Sequence, residues 1–112
     1  MMIELLYFEG CPSWQKGLEN LQAALSLEDL EAEIRLIRID DEETAAKEKF
    51  LGSPSFRFNG RDLWYEERDS YDLSCRIYST EEGMRGFPTV AMLREKIRNI
   101  QDGHVMNDDR NG

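Results

Sequence analysis

The chain has 112 residues, 23 acidic against 14 basic side chains for a formal charge of -9, 40% hydrophobic residues, two cysteines and one histidine. That length suits one core, since domains run to roughly 100–150 residues, and the apolar share belongs to a folded chain rather than a disordered one. An acidic excess without a Lys/Arg cluster disfavours nucleic acid and anionic membranes as partners, and one His with two Cys cannot complete a four-ligand zinc site without carboxylates.

The longest apolar stretch lies within residues 1–8 and already contains Glu4, far short of the ~20 residues of a membrane span. The start of the chain lacks the basic residues and small-residue cleavage site of a secretory signal, so the expected address is the cytoplasm. Two cysteines in a reducing compartment are expected as free thiols or a catalytic pair rather than a permanent staple.

In chain order, Met2-Ile3-Glu4-Leu5-Leu6-Tyr7-Phe8 is apolar at nearly every position, which predicts a strand covered on both faces. Glu9-Gly10-Cys11-Pro12 breaks it, and Pro12 suits the first position of a helix. Trp14, Leu18, Leu21 and Leu25 recur at helical steps, placing a helix at 12–25. Gly17 inside it costs roughly 1 kcal/mol against Ala, which points to close approach of a neighbouring element. Residues 33–39 predict a second strand, buried on both faces or bulged midway. Asp40 is the expected cap of a second helix reaching about Phe50, with Glu43 as its reciprocal partner and a thin stripe of Ala46 and Phe50.

Gly52-Ser53-Pro54 stops that helix, and Ser55-Phe56-Arg57-Phe58 alternates like a strand. Asn59-Gly60 accepts the positive φ angles of a type I′ turn, so residues 61–65 are expected as the returning strand. Residues 66–87 are acidic at first and contain Tyr71, Cys75, Ile77 and Tyr78, enough apolar content to pack on the body. Pro88 opens a last helix with Val90, Leu93, Ile97 and Ile100 on one stripe. The chain divides into one domain at 1–101 and a flexible polar tail at 102–112.

The predicted order β-α-β-α-β-β-α describes an α/β domain with a four-stranded mixed sheet flanked by helices, with 66–87 as an insertion before the last helix. It resembles the thioredoxin fold. Three stretches carry the likeness: Tyr7-Phe8-Glu9-Gly10-Cys11-Pro12-Ser13-Trp14, Arg38-Ile39-Asp40-Asp41-Glu42-Glu43, and Gly52-Ser53-Pro54-Ser55-Phe56 followed by Phe58-Asn59-Gly60. Two features depart from the dithiol enzymes of that family: Trp14 stands where the second cysteine of Cys-x-x-Cys would be, and the insertion carries Ser74-Cys75-Arg76. With that insertion the chain is similar instead to small bacterial thioredoxin-like proteins that pair a Gly-Cys-Pro start with a late Ser-Cys-Arg.

Cys11 is the sharpest chemical candidate. A thiol at a helix N-terminus meets unsatisfied amide protons that favour the thiolate, although Glu9 would oppose this if its charge pointed inward, and a buried Cys can be a mere small hydrophobe. The resemblance implies a cis Ser53–Pro54 bond beside Cys11, and with Pro12, Trp14, Ser53 and Pro54 it forms the expected substrate-binding surface, able to pair with an extended peptide or thiol. Trp14 reads more readily as a core residue heading a helical stripe. Cys75 is the candidate to resolve a sulfenic acid or mixed disulfide on Cys11, with Arg76 favouring its thiolate. Trp64, Tyr65 and Tyr71 read as packing, the acids of 40–43 and 66–72 as caps and solvated surface, and His104 as part of the tail.

The leading expectation is a thiol protein that exchanges disulfides, or handles peroxide and thiols, through Cys11, with Cys75 or an external thiol as resolver and no cofactor. Its partner would be a protein or small-molecule thiol or disulfide. The alternatives are a non-catalytic binding module on the same scaffold, and soft-metal handling by the two thiolates.

Overall fold

The computed structural model describes residues 1–102; the expected tail beyond them, with His104, lies outside the described residues. The elements are β1 (Met2–Tyr7), α1 (Ser13–Leu27), β2 (Glu33–Arg38), α2 (Glu42–Glu48), β3 (Ser55–Phe58), β4 (Arg61–Asp62), β5 (Tyr78–Thr80), β6 (Gly83–Arg85) and α3 (Val90–Asp102). The fold is α/β, with a mixed sheet ordered β2-β1-β3-β4, three helices, and a separate β5-β6 ribbon. None of these helices is long and apolar enough to cross a membrane.

β1 runs parallel to β2, as a helical crossover permits, and antiparallel to β3. Its alternation serves two cores. Ile3 and Leu5 join Leu21, Ala24 and Leu25 of α1, Phe56 of β3, and Leu93 and Ile97 of α3, while Leu6 turns to the other face with Ile39, Ala45 and Phe50. This central strand is therefore covered on both faces, as its continuous apolar pattern requires.

β2 departs from expectation. Its register with β1 is unbroken, so there is no bulge, and it lies at the sheet edge with Ile34 and Ile37 only half-buried and Leu36 45% exposed. An edge strand beside a seven-residue helix lacks the material to cover both its faces. That helix is capped by Asp41, whose carboxylate accepts from the Thr44 N–H at 2.8 Å, rather than by Asp40 with Glu43. The shift of one residue turns Ala45, not Ala46, into the core.

Gly17 explains itself. A Cβ there would stand 3.0 Å from the Pro54 ring and 3.3 Å from the Phe56 ring, so the backbone of α1 lies directly on the loop that enters β3. The β3–β4 turn has the expected positive φ at Asn59 and Gly60. β4 ends at Asp62 instead of residue 65, because the Asp62 carboxylate takes the Trp64 N–H at 2.7 Å and turns the chain out of the ladder.

The insertion crosses from one core to the other. Tyr71 and Leu73 pack against the Leu6–Phe50 side, and Tyr78 is buried in the α1/α3 side. Its path follows the loop before β3 closely: Arg68 donates to the Leu51 carbonyl at 3.1 Å, and the Tyr78 hydroxyl donates to the Pro54 carbonyl at 2.6 Å. Thr89 starts α3, its hydroxyl accepting from the Met92 N–H at 3.2 Å.

Candidate functional site

Cys11 precedes α1 in a tight turn, its N–H donating to the Phe8 carbonyl at 3.0 Å. Pro12 is exposed and occupies the cap position with helical dihedral angles, one step outside the helix proper. Cys11 is 3% exposed. Glu9 points outward, its carboxylate 3.8 Å from Arg38, so its charge does not face the sulfur.

Opposite Cys11 stands the loop Gly52-Ser53-Pro54, with a cis Ser53–Pro54 bond. All three residues are buried. The Ser53 carbonyl oxygen lies 3.8 Å from Cys11 Sγ. The sulfur thus has the carbonyl oxygen of this loop beside it. Ser53 Oγ is buried with no hydrogen-bond partner among the described residues.

The residues of Ser74-Cys75-Arg76 lie alongside this loop as a one-residue parallel strand. Ser53 N–H donates to the Ser74 carbonyl at 2.9 Å, and Arg76 N–H donates to the Ser53 carbonyl at 3.0 Å. Gly52 makes room for them: its φ is +110°, and a Cβ there would fall 2.9 Å from Arg76 Cβ. The result is a Cys11–Cys75 disulfide with Cα atoms 5.8 Å apart, joining positions 64 residues apart in sequence. That separation lies within the range a disulfide spans.

The two halves of the bond differ in environment. Cys11 is enclosed by the loop, whereas Cys75 is an exposed residue.

Arg76 does more than place a charge beside Cys75. It is 5% exposed. Its guanidinium pairs with the Asp62 carboxylate at 2.9 Å, donates to Ser55 Oγ at 3.1 Å and to the Trp64 carbonyl, and lies 5.0 Å from the centre of the Tyr78 ring. Burial opposes its charge, but the neighbouring Tyr78 and Asp62 more than offset this, and its pKa lies above the ordinary arginine value. The Tyr78 phenol is fully enclosed, and desolvation holds it far above the ordinary tyrosine value. The sequence signal was present in Asp62 and Arg76, but no local pattern connects residues 14 apart across a turn.

Of the other sequence candidates, Trp14 stacks on Tyr7 with ring centres 4.1 Å apart and packs against the α1/α3 core. Trp64 packs edge-on to Phe56 and Tyr78, while Tyr65 is exposed and bonds Glu67. Among the described residues no group of three or more His, Cys, Asp or Glu gathers as a metal site. Compared with protein-family models, curated proteins and solved structures, the chain gave no match to any of them.

Proposed function

We propose that the chain is a thioredoxin-like thiol protein whose Cys11–Cys75 pair exchanges with thiols and disulfides of a protein or small-molecule partner. One observation carries the reading: a buried and an exposed cysteine, distant in sequence, share a bond on a loop built to hold them together. Supporting it are the parallel β1-α1-β2 unit, the antiparallel β3-β4 hairpin, and helices on both sheet faces.

In the oxidised chain, a partner thiolate attacks Cys75 Sγ. The Cys11–Cys75 bond breaks, Cys11 leaves with the electron pair, and a mixed disulfide forms on Cys75. A second partner thiolate then displaces Cys75, so that the partner's two thiols become a disulfide and both cysteines of this chain carry protons. Run in reverse, the reduced chain opens a partner disulfide. The sequence reading gave Cys11 the attack and Cys75 the resolving step; the exposure of the two residues favours the opposite order.

The test is opening of the oxidised chain by millimolar glutathione in sub-denaturing urea. Exchange on the folded protein is expected at a rate insensitive to urea, and the Cys11→Ser chain, given oxidised glutathione, is expected to keep one glutathionyl group on Cys75 in mass spectra while one reduced glutathione departs. Opening that tracks the global unfolding rate would identify the bond as a fixed staple and end the proposal.

A further inference from the structure

We propose that Arg76 is a positioning residue that keeps Cys75 at Cys11 after their bond has opened. The inference rests on the exchange reading and deepens it by naming what makes the pair close again.

A free loop carrying a thiol would close slowly, because the entropy of bringing two chain positions together must be overcome at each cycle. Here the residue next to Cys75 is fastened independently of sulfur. The Arg76 guanidinium binds a carboxylate from β4, a hydroxyl from β3 and the Trp64 carbonyl that follows. Ser55 Oγ in turn donates to the Gly52 carbonyl at 2.5 Å, tying the arginine to the loop that faces Cys11. On the other side, the Arg76 and Ser53 amides fix the backbone register of residues 74–76. None of these bonds runs through sulfur, so none is broken by the two electrons and two protons that open the S–S bond. Cys75 therefore stays within bonding reach of Cys11, and the reaction sees a high effective concentration of thiol. Lysine would keep the charge but, with a single ammonium, cannot reproduce the planar fork toward several acceptors.

The experiment equilibrates the chain with reduced and oxidised glutathione. On closure, the two protein thiols lose two protons and two electrons to one oxidised glutathione, which departs as two reduced molecules. The equilibrium constant is the effective concentration of the pair. A substitution that weakens open and closed forms equally moves the melting temperature but not this constant, so the measurement separates positioning from general support. With the fork lost, the open form lets Cys75 leave while sulfur still holds it in the closed form, so Arg76→Lys is expected to lower the constant by up to about tenfold, the limit set by one lost hydrogen bond to a charged group. A constant within twofold of the parent overturns the proposal. A second measurement needs no substitution at the clamp: in the Cys75→Ser chain, the Ser53 and Arg76 amides should remain protected from hydrogen exchange, and exchange at the rate of an unfolded peptide would overturn the proposal equally. Because the constant is an equilibrium quantity, slow opening by glutathione would sink the exchange reading while leaving this test to give its own answer.

Discussion

Reducing the Cys11–Cys75 bond removes a cross-link that closes a loop of 64 residues, which in the chain-entropy account corresponds to roughly 4 kcal/mol at 25 °C. The folded state loses little else, because the insertion keeps its hydrogen bonds to Leu51, Ser53 and Pro54. The loss therefore falls on the unfolded side of the equilibrium, where the reduced chain regains its freedom. With a urea slope of about 1.5 kcal/mol/M for a domain of this size, the midpoint should fall by roughly 2–3 M. The assay is tryptophan fluorescence in a urea series, run on one preparation with and without a phosphine reductant, with thiol content measured at each end. A shift below about 0.5 M refutes the reasoning, since it would mean that joining these positions scarcely restricts the unfolded chain.

Gly52→Ala places a methyl group against Arg76 and forces a left-handed backbone angle on a residue with a side chain. A loss of about 1–3 kcal/mol is expected, together with a smaller fraction of closed disulfide in a fixed glutathione buffer; a parent-like melting curve contradicts it. Tyr78 governs the alkaline limb. The native state retains its phenolic proton, while the unfolded chain releases it above the ordinary value of 10.0. Stability is thus independent of this group below that pH and falls as pH rises beyond it. Unfolding measured across the alkaline range should show that slope, and Tyr78→Phe should flatten it; an unchanged slope in the variant rejects the assignment.

Local chemistry was legible in the residues themselves. Asn59-Gly60 accepts positive φ at both positions wherever it stands, and Gly17 marked a close approach before its partner, Pro54, was known. Strand β1 was readable because burial on both faces leaves a continuous apolar run. What the sequence hid depends on distant residues. The edge position of β2 follows from sheet order, and the early end of β4 from the Asp62 carboxylate, which serves the Trp64 amide and Arg76 together. The insertion was the hardest segment. Its defining contacts are backbone bonds to Ser53, which carry no side-chain pattern, and a buried arginine, which looks like a surface residue in any composition count. The cysteine pair was a candidate from the residues, but its geometry and its asymmetric exposure came only with the fold.

The order of elements has a consequence for biosynthesis. Cys11 leaves the ribosome 64 residues ahead of Cys75, which at about 5–20 residues per second is an interval on the order of several seconds. Strand β1 precedes Cys11, and the other three strands of the main sheet, together with Gly52 and Ser53, emerge during that wait. The cradle is translated before its occupant, and the nascent chain must carry one unpaired sulfur until then.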